Sequence, residues 1–299
     1  MTHNSEPDET PDPPMYEGRR LARDHDEIVD QGASFDIATV LNRRNVLGLI
    51  GLGIGAATLA ACAPLESLRP TGSSAPSGSA GGGVAIPPGE IPEEMAGPFP
   101  GDGSNGPDVL KRAGIVRSDI RSSIGGGQTA DGVPLTVTLT ILDAASGNAA
   151  VAGVAVYVWQ CDAQGDYSMY SDGLREETYL RGVQVADADG RVTFTSIVPG
   201  CYTGRWPHIH LEVYPNLESV TEPSTLMTTS QLAFPETMFA GVYALDSYAG
   251  SARRLADITL ATDMVFREDN AELQMASITG DATRGFSAAL TARIDTRTS

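Results

Sequence analysis

From Leu135 to Ile141 the chain alternates strictly: Leu135, Val137, Leu139 and Ile141 are apolar, and Thr136, Thr138 and Thr140 between them are polar and β-branched. Successive side chains on a strand point to opposite faces, so this pattern asks for a sheet with one face in a core and the other toward water. The same period returns at Val154, Val156 and Val158, after a turn cluster at Ser146-Gly147-Asn148. Asp187-Ala188-Asp189-Gly190 is a hairpin signal leading into a strand from Arg191 to Val198. Further strands are expected at 208–214, 255–266 and 284–294, and a short helix at 106–113. Long helical periodicity is missing from this part of the chain. The expected fold is all-β, a β-sandwich of mostly antiparallel strands joined by long loops.

That sandwich accounts for residues 96–299, and what precedes them reads differently. Residues 1–42 are polar, rich in Asp, Glu and Pro, without a sustained apolar period. Arg43 and Arg44 then precede an apolar run from Val46 to Ala61, shorter and richer in glycine than the ~20 apolar residues of a membrane-spanning helix. The arginine pair resembles a twin-arginine export signal, and Leu59-Ala60-Ala61-Cys62 resembles a lipobox, in which Cys62 is lipidated. An uncleaved N-terminal anchor is the alternative; under either, the folded part lies outside the cytoplasmic membrane. Residues 1–61 are therefore expected to be a leader. Residues 62–95, which include a stretch of Ser, Gly, Ala and Pro from Thr71 to Gly83, are expected to be a flexible tether.

The formal net charge is −18, which excludes nucleic acid as a partner and disfavours anionic lipid surfaces. Membrane contact is expected only through the lipid anchor. Histidine is scarce: His3 and His25 lie in the leader, and the folded part holds only His208 and His210. They occupy alternate positions in His208-Ile209-His210-Leu211-Glu212-Val213. On a strand, Ile209, Leu211 and Val213 then face the core while both imidazoles point the other way, a natural start for a transition-metal site. Taken alone, the pair is equally compatible with a structural or surface role.

The surrounding motifs narrow the reading. Gly165-Asp166-Tyr167-Ser168 follows the strand ending in Val158-Trp159-Gln160-Cys161, and Pro199-Gly200-Cys201-Tyr202 closes another strand shortly before His208. Together with Leu180-Arg181-Gly182-Val183-Gln184, Asp187 to Gly190 and Ile197-Val198-Pro199-Gly200, these motifs resemble, in order, the intradiol ring-cleavage dioxygenases, the family of catechol and protocatechuate 3,4-dioxygenases. Weaker likeness covers Gly97-Pro98-Phe99 and Ser230-Gln231-Leu232. The resemblance implies a mononuclear Fe(III) held by Tyr167, Tyr202, His208 and His210, with Tyr202 the ligand displaced when substrate binds. It further implies an arginine, here Arg205, that stabilises negative charge on the substrate ring, and a glutamine near the reacting carbon, matched by Gln231. The implied reaction opens a small aromatic diol between its hydroxylated carbons with O2, giving a muconate-type diacid; catechol, protocatechuate and hydroxyquinol all fit. Tyr157, Tyr170 and Tyr179 read as core or pocket residues rather than ligands.

Tyrosine has a pKa near 10 in water, and a trivalent cation makes its phenolate the stable form at neutral pH. Two phenolates and a hydroxide balance the 3+ charge, so the site is able to be buried. Cys161 and Cys201 each lie close in sequence to one of the two tyrosines. Outside the membrane they are expected to pair as a disulfide, closing a loop of about 40 residues worth on the order of 3 to 4 kcal/mol in the chain-entropy model. The competing functional readings are a surface-tethered, non-catalytic β-sandwich binding module, and a zinc or copper enzyme in which the tyrosines are incidental. The sequence fixes no oligomeric state.

Overall fold

A computed structural model describes residues 89–297, together with a two-residue antiparallel ladder, β1 (Met15–Tyr16) with β2 (Arg19–Arg20). The expected export signal, Cys62 and the glycine-rich stretch lie outside the described residues. Within 89–297 the strands form two sheets, the layered all-β arrangement expected.

The first sheet contains β3 (Pro134–Asp143), β4 (Ala149–Ala150), β7 (Arg191–Ile197), β10 (Ser277–Asp281) and β11 (Gly285–Ile294). Its centre is β3, which pairs antiparallel with β7 and β4 and parallel with β11; β10 closes the edge by pairing antiparallel with β11. Leu135, Val137, Leu139 and Ile141 are buried while Thr136, Thr138 and Thr140 are not, as the alternation requires. The second sheet has the order β6 (Arg181–Val185), β5 (Ala155–Trp159), β8 (His208–Tyr214), β9 (Thr228–Ala233), all antiparallel. Val156 and Val158 of β5, Ile209, Leu211 and Val213 of β8, and Leu232 of β9 face the first sheet and share one core with its buried residues.

Four expectations change. The turn at 187–190 forms, with the Asp187 carboxylate accepting from the Asp189 and Arg191 amides at 2.9 Å each, but β6 and β7 belong to different sheets, so it is a crossing between layers and not a hairpin. Segment 255–266 is no strand: the helix Ser251–Ala256 runs into turns and a 3-10 turn at Phe266–Glu268. Segment 106–113 forms turns, with Arg112 N–H to Val109 O and no helical repeat. The packed chain also starts before residue 96: Ile91 is buried and bonded to Arg293 O, and Glu94 N–H donates to Thr229 O. Among the described residues no helix is long and apolar enough to cross a membrane.

Candidate metal centre

The outer face of the second sheet carries the candidate site residues. On β8, residues 209, 211 and 213 are committed to the core, so His208, His210, Glu212 and Tyr214 turn to the other side, where they are buried as well. What covers them is a second aromatic cluster, separate from the sandwich core, that includes Phe99, Tyr157, Trp159, Tyr167, Tyr170 and Tyr202.

Two loops deliver the tyrosines. Gly200 makes the approach possible, because a Cβ there would sit 2.5 Å from Asp162 O and 2.6 Å from Ala163 O. The helix Ser251–Ala256 ties the loops together: Ser251 Oγ donates to Ala163 O at 3.1 Å and accepts from Cys201 N–H at 3.1 Å. Arg254 adds bonds to Gln164 O and Cys201 O. On the far side of Tyr167, the fully buried Arg181 donates to Ser168 Oγ, Ser168 O, Phe99 O and Pro100 O at 2.9 to 3.0 Å. It staples the segment holding Phe99, whose ring lies 4.8 Å from that of Tyr167, onto the loop that presents Tyr167.

The four residues expected from the sequence meet in a closed ring. Ring centroids are 5.8 Å apart for Tyr167 and Tyr202, 5.8 Å for Tyr202 and His208, 4.6 Å for His208 and His210, and 6.4 Å for His210 and Tyr167. The two Nε2 atoms point at each other at 3.0 Å. His208 Nδ1 lies 2.5 Å from Trp206 O, a carbonyl that only accepts, so the Nδ1–H tautomer follows and Nε2 carries the lone pair. Trp159 stacks on His210 at 4.6 Å and 2°.

Burial, followed by the Arg205 charge, drives the His208 pKa down to about 3; burial and then the neighbouring His208 push that of His210 well below its ordinary value. Both imidazoles are thus neutral, the ligating form. Burial and then Tyr202 raise Tyr167 well above an ordinary phenol, opposed by Arg205, so a phenolate there requires a cation at the site. The buried Tyr167 hydroxyl has no hydrogen-bond partner of good geometry, a costly state for a buried polar group. An orphaned phenol oxygen and two convergent, neutral imidazole nitrogens fit a hard, highly charged transition-metal ion. Among the described residues no group of three or more His, Cys, Asp or Glu is placed to bind a metal; the set here is two imidazoles and two phenols.

Arg205 is 2% exposed and Gln231 fully buried. Gln231 lies opposite His210 in the β8–β9 register; its Oε1 accepts from Arg205 Nη2 at 2.5 Å and its Nε2 donates to Met95 O at 3.0 Å. The structure therefore brings Gln231 into the site. Asp263 is the residue that sequence reasoning missed, accepting from Arg205 Nε at 3.0 Å while itself fully buried. A lone carboxylate beside Met264, Val265 and Phe266 was the available signal, since a buried acid needs a partner. The expected Cys161–Cys201 disulfide is not formed. Both thiols are free and buried, and they face different carbonyls, Cys161 Sγ toward Gly200 O at 3.6 Å and Cys201 Sγ toward Arg205 O at 3.5 Å. Burial pushes the Cys201 thiol up to about 12 and Cys161 well above its ordinary value.

The dioxygenase family model matches residues 104–214, a span that contains Tyr167, Tyr202, Arg205, His208 and His210. Among solved structures, an intradiol ring-cleavage dioxygenase from Tetranychus urticae is 26% identical, with 62% of this chain and 88% of that one covered and a TM-score of 0.50. The dioxygenase domain of a carbohydrate-binding fusion from Streptomyces sp. SirexAA-E is 26% identical over 69% of this chain and 99% of its own, TM-score 0.44. Catechol 1,2-dioxygenase from Pseudomonas arvilla C-1 is 20% identical over 69% and 62%, TM-score 0.41. No curated protein matches the chain significantly. The family model and the Tetranychus structure agree: the chain has the all-β fold of that intradiol ring-cleavage dioxygenase and is similar to the dioxygenase family over residues 104–214.

Proposed function

We propose that this protein opens catechol-type rings between the two hydroxylated carbons with O2, yielding muconate-type diacids, and that Tyr167, Tyr202, His208 and His210 hold the Fe(III) this needs. When bound, the ferric ion would favour the doubly deprotonated, electron-rich form of the catechol and supply the redox chemistry for its reaction with O2. The single observation that carries the reading is the closed ring of two buried phenols and two buried imidazoles, with the two Nε2 atoms 3.0 Å apart.

The protein's own groups have distinct parts. With the ion bound, Tyr202 Oη would take up one of the two protons of the incoming catechol as it gives way and the hydroxide the other, leaving as water, which keeps the local charge constant. Tyr167, clamped by the Arg181 staple and packed under Phe99, holds its place. Arg205 provides a fixed positive charge for the negative charge that grows on the ring, aimed by Gln231 and Asp263. The apolar and aromatic walls exclude water, which strengthens that interaction.

The test is the protein purified from cells grown with ample iron. The expected protein is deep red from tyrosinate-to-iron charge transfer, contains about one iron per chain, and consumes O2 with catechol while forming a muconate. A colourless protein that holds zinc and leaves catechols intact would sink the proposal. We also place the enzyme outside the cytoplasmic membrane, exported through the Arg43-Arg44 signal and anchored by lipid at Cys62. Cys62→Ala should release it from the membrane fraction; a variant that stays attached with its leader intact argues for an uncleaved anchor.

A further inference from the structure

We propose that Asp263 is a positioning residue for this reaction: its buried carboxylate fixes the Arg205 guanidinium and, through the Trp206 backbone, the orientation and tautomer of His208. The inference rests on the proposed function above.

The geometry is a branched set of bonds from one side chain. Oδ2 accepts from Arg205 Nε at 3.0 Å and from Trp206 N–H at 2.7 Å. Oδ1 accepts from Val265 N–H at 2.8 Å and Phe266 N–H at 3.1 Å, which fixes the carboxylate in its own turn. From there one arm runs through Arg205 Nη2 to Gln231 Oε1, and from Gln231 Nε2 to Met95 O. The other arm runs through Trp206, whose carbonyl accepts from His208 Nδ1 and whose indole N–H donates to Phe234 O at 3.0 Å. One carboxylate thus locks two neighbours of the reacting centre: the cation on one side and a ligand imidazole on the other. Such outer partners orient ligands and set imidazole tautomers.

All four groups facing Asp263 are donors, which is what makes the residue testable. In Asp263→Asn one oxygen becomes an NH2 that must oppose two of those N–H groups whichever way the amide turns. In either orientation the guanidinium loses its anionic partner, while His208, His210 and both tyrosines keep their chemical identity.

The experiment compares full-length wild type, Asp263→Asn, Arg205→Ala and the double variant, each loaded with iron and normalised to iron content. Asp263→Asn should bind iron yet lose about 100-fold in kcat, the scale of a misplaced catalytic group, with KM changed far less. If it acts through Arg205, the double variant should lose at least about tenfold less than the product of the single losses. Nitrogen-15 NMR of the metal-free, histidine-labelled protein gives a readout independent of turnover: wild type should show His208 protonated at Nδ1, and Asp263→Asn should show that proton exchanging faster or moved. Wild-type kcat per iron in Asp263→Asn, or multiplicative losses in the double variant, would overturn the role. If Asp263→Asn does not fold, Asp263→Glu decides, since it keeps the charge and displaces it; wild-type kcat per iron there also overturns the role. A wild-type protein without iron colour or ring cleavage defeats the proposed function instead, and an unchanged His208 tautomer in the variant then defeats the positioning role separately.

Discussion

Along β3, β7 and β11 of the first sheet, buried and more exposed residues alternate, whereas every residue of β5, β8 and β9 in the second sheet is buried. The first sheet has one face against the core and one toward water. The second has the same core on one face and an aromatic cluster under loops on the other. Both show period two in the sequence, but what alternates differs. In β3 aliphatic residues alternate with threonine; in β8 they alternate with His208, His210, Glu212 and Tyr214. A strand whose non-core face carries groups that are costly to bury, and buries them, is the natural place to look for a site. In this fold one sheet supplies stability and the other spends some of it on a site.

Breaking the site sheet at one residue should give the largest functional effect with the smallest structural one. His210→Ala removes an imidazole that meets Trp159 and His208 but is outside the sandwich core. We expect loss of iron colour and a fall in catechol cleavage of at least about 1,000-fold, on the scale of a lost catalytic group, with cooperative unfolding retained. Metal analysis, O2 uptake and circular dichroism check this; a variant that keeps iron and turnover removes His210 from the site.

The opposite break is Leu139→Ala in the first sheet, where the side chain is 1% exposed. Cavity formation there should cost roughly 2 to 5 kcal/mol, lowering Tm by on the order of 10 °C at about 2–4 °C per kcal/mol for a domain of this size. Activity per folded, iron-loaded molecule should stay near wild type. If Leu139→Ala instead lowers kcat with Tm intact, the division of labour between the sheets is wrong.

How much of this was legible follows the same division. The first sheet was readable at β3, β7 and β11 because one wet face imprints polar residues at every second position. The four candidate residues could be grouped from the sequence because Tyr167 and Tyr202 sit in loop motifs ahead of β8 and both histidines sit on it. The parallel pairing of β11 with β3 was not, since nothing local encodes which distant strand lies alongside. Segment 255–266 was expected to be a strand, yet Ile258, Leu260 and Val265 pack as a helix end and turns whose conformation Asp263 holds through a bond to Arg205, 58 residues away. β9 was hidden behind the acidic, proline-punctuated stretch that precedes it, so the place of Gln231 beside His210 became visible only through the register. The cysteines were expected to bridge from their closeness in sequence to Tyr167 and Tyr202. Nearness alone does not aim a thiol, and each found its own carbonyl.

Within the site sheet the two tyrosines offer a finer test. Tyr167 is fully buried and held by the Arg181 staple, while Tyr202 is 3% exposed on the loop ahead of Arg205. Tyr202→Phe should retain more iron and regain colour once catechol binds, with turnover reduced. Tyr167→Phe should bind iron more weakly and be pale in both states. Metal content and visible spectra with and without catechol check it; equal losses would remove the asymmetry while leaving the iron site standing.

The smallest effect expected lies at the margin of the same sheet, where Glu94 runs beside β9. Burial, the largest influence, raises its pKa from 4.5 to about 7. Arg205 and a hydrogen bond from Gln274 oppose that shift, while Asp269 and Asp263 add to it. The folded protein therefore binds a proton more tightly than the unfolded chain between pH 4.5 and about 7. Stability from this group is fully present at the acid end and is lost as pH rises through 7, because an ionised carboxylate must then stay in a partly buried place. Glu94→Gln cannot ionise, so its Tm relative to wild type should rise between pH 5 and pH 8. The side chain is only partly buried and water screens it, so the gain should stay below about 1 kcal/mol, or roughly 2–4 °C. A Tm difference that is the same at both pH values would show that the Glu94 carboxyl titrates alike folded and unfolded, and that the edge of the site sheet is as open to water as the outer face of the first.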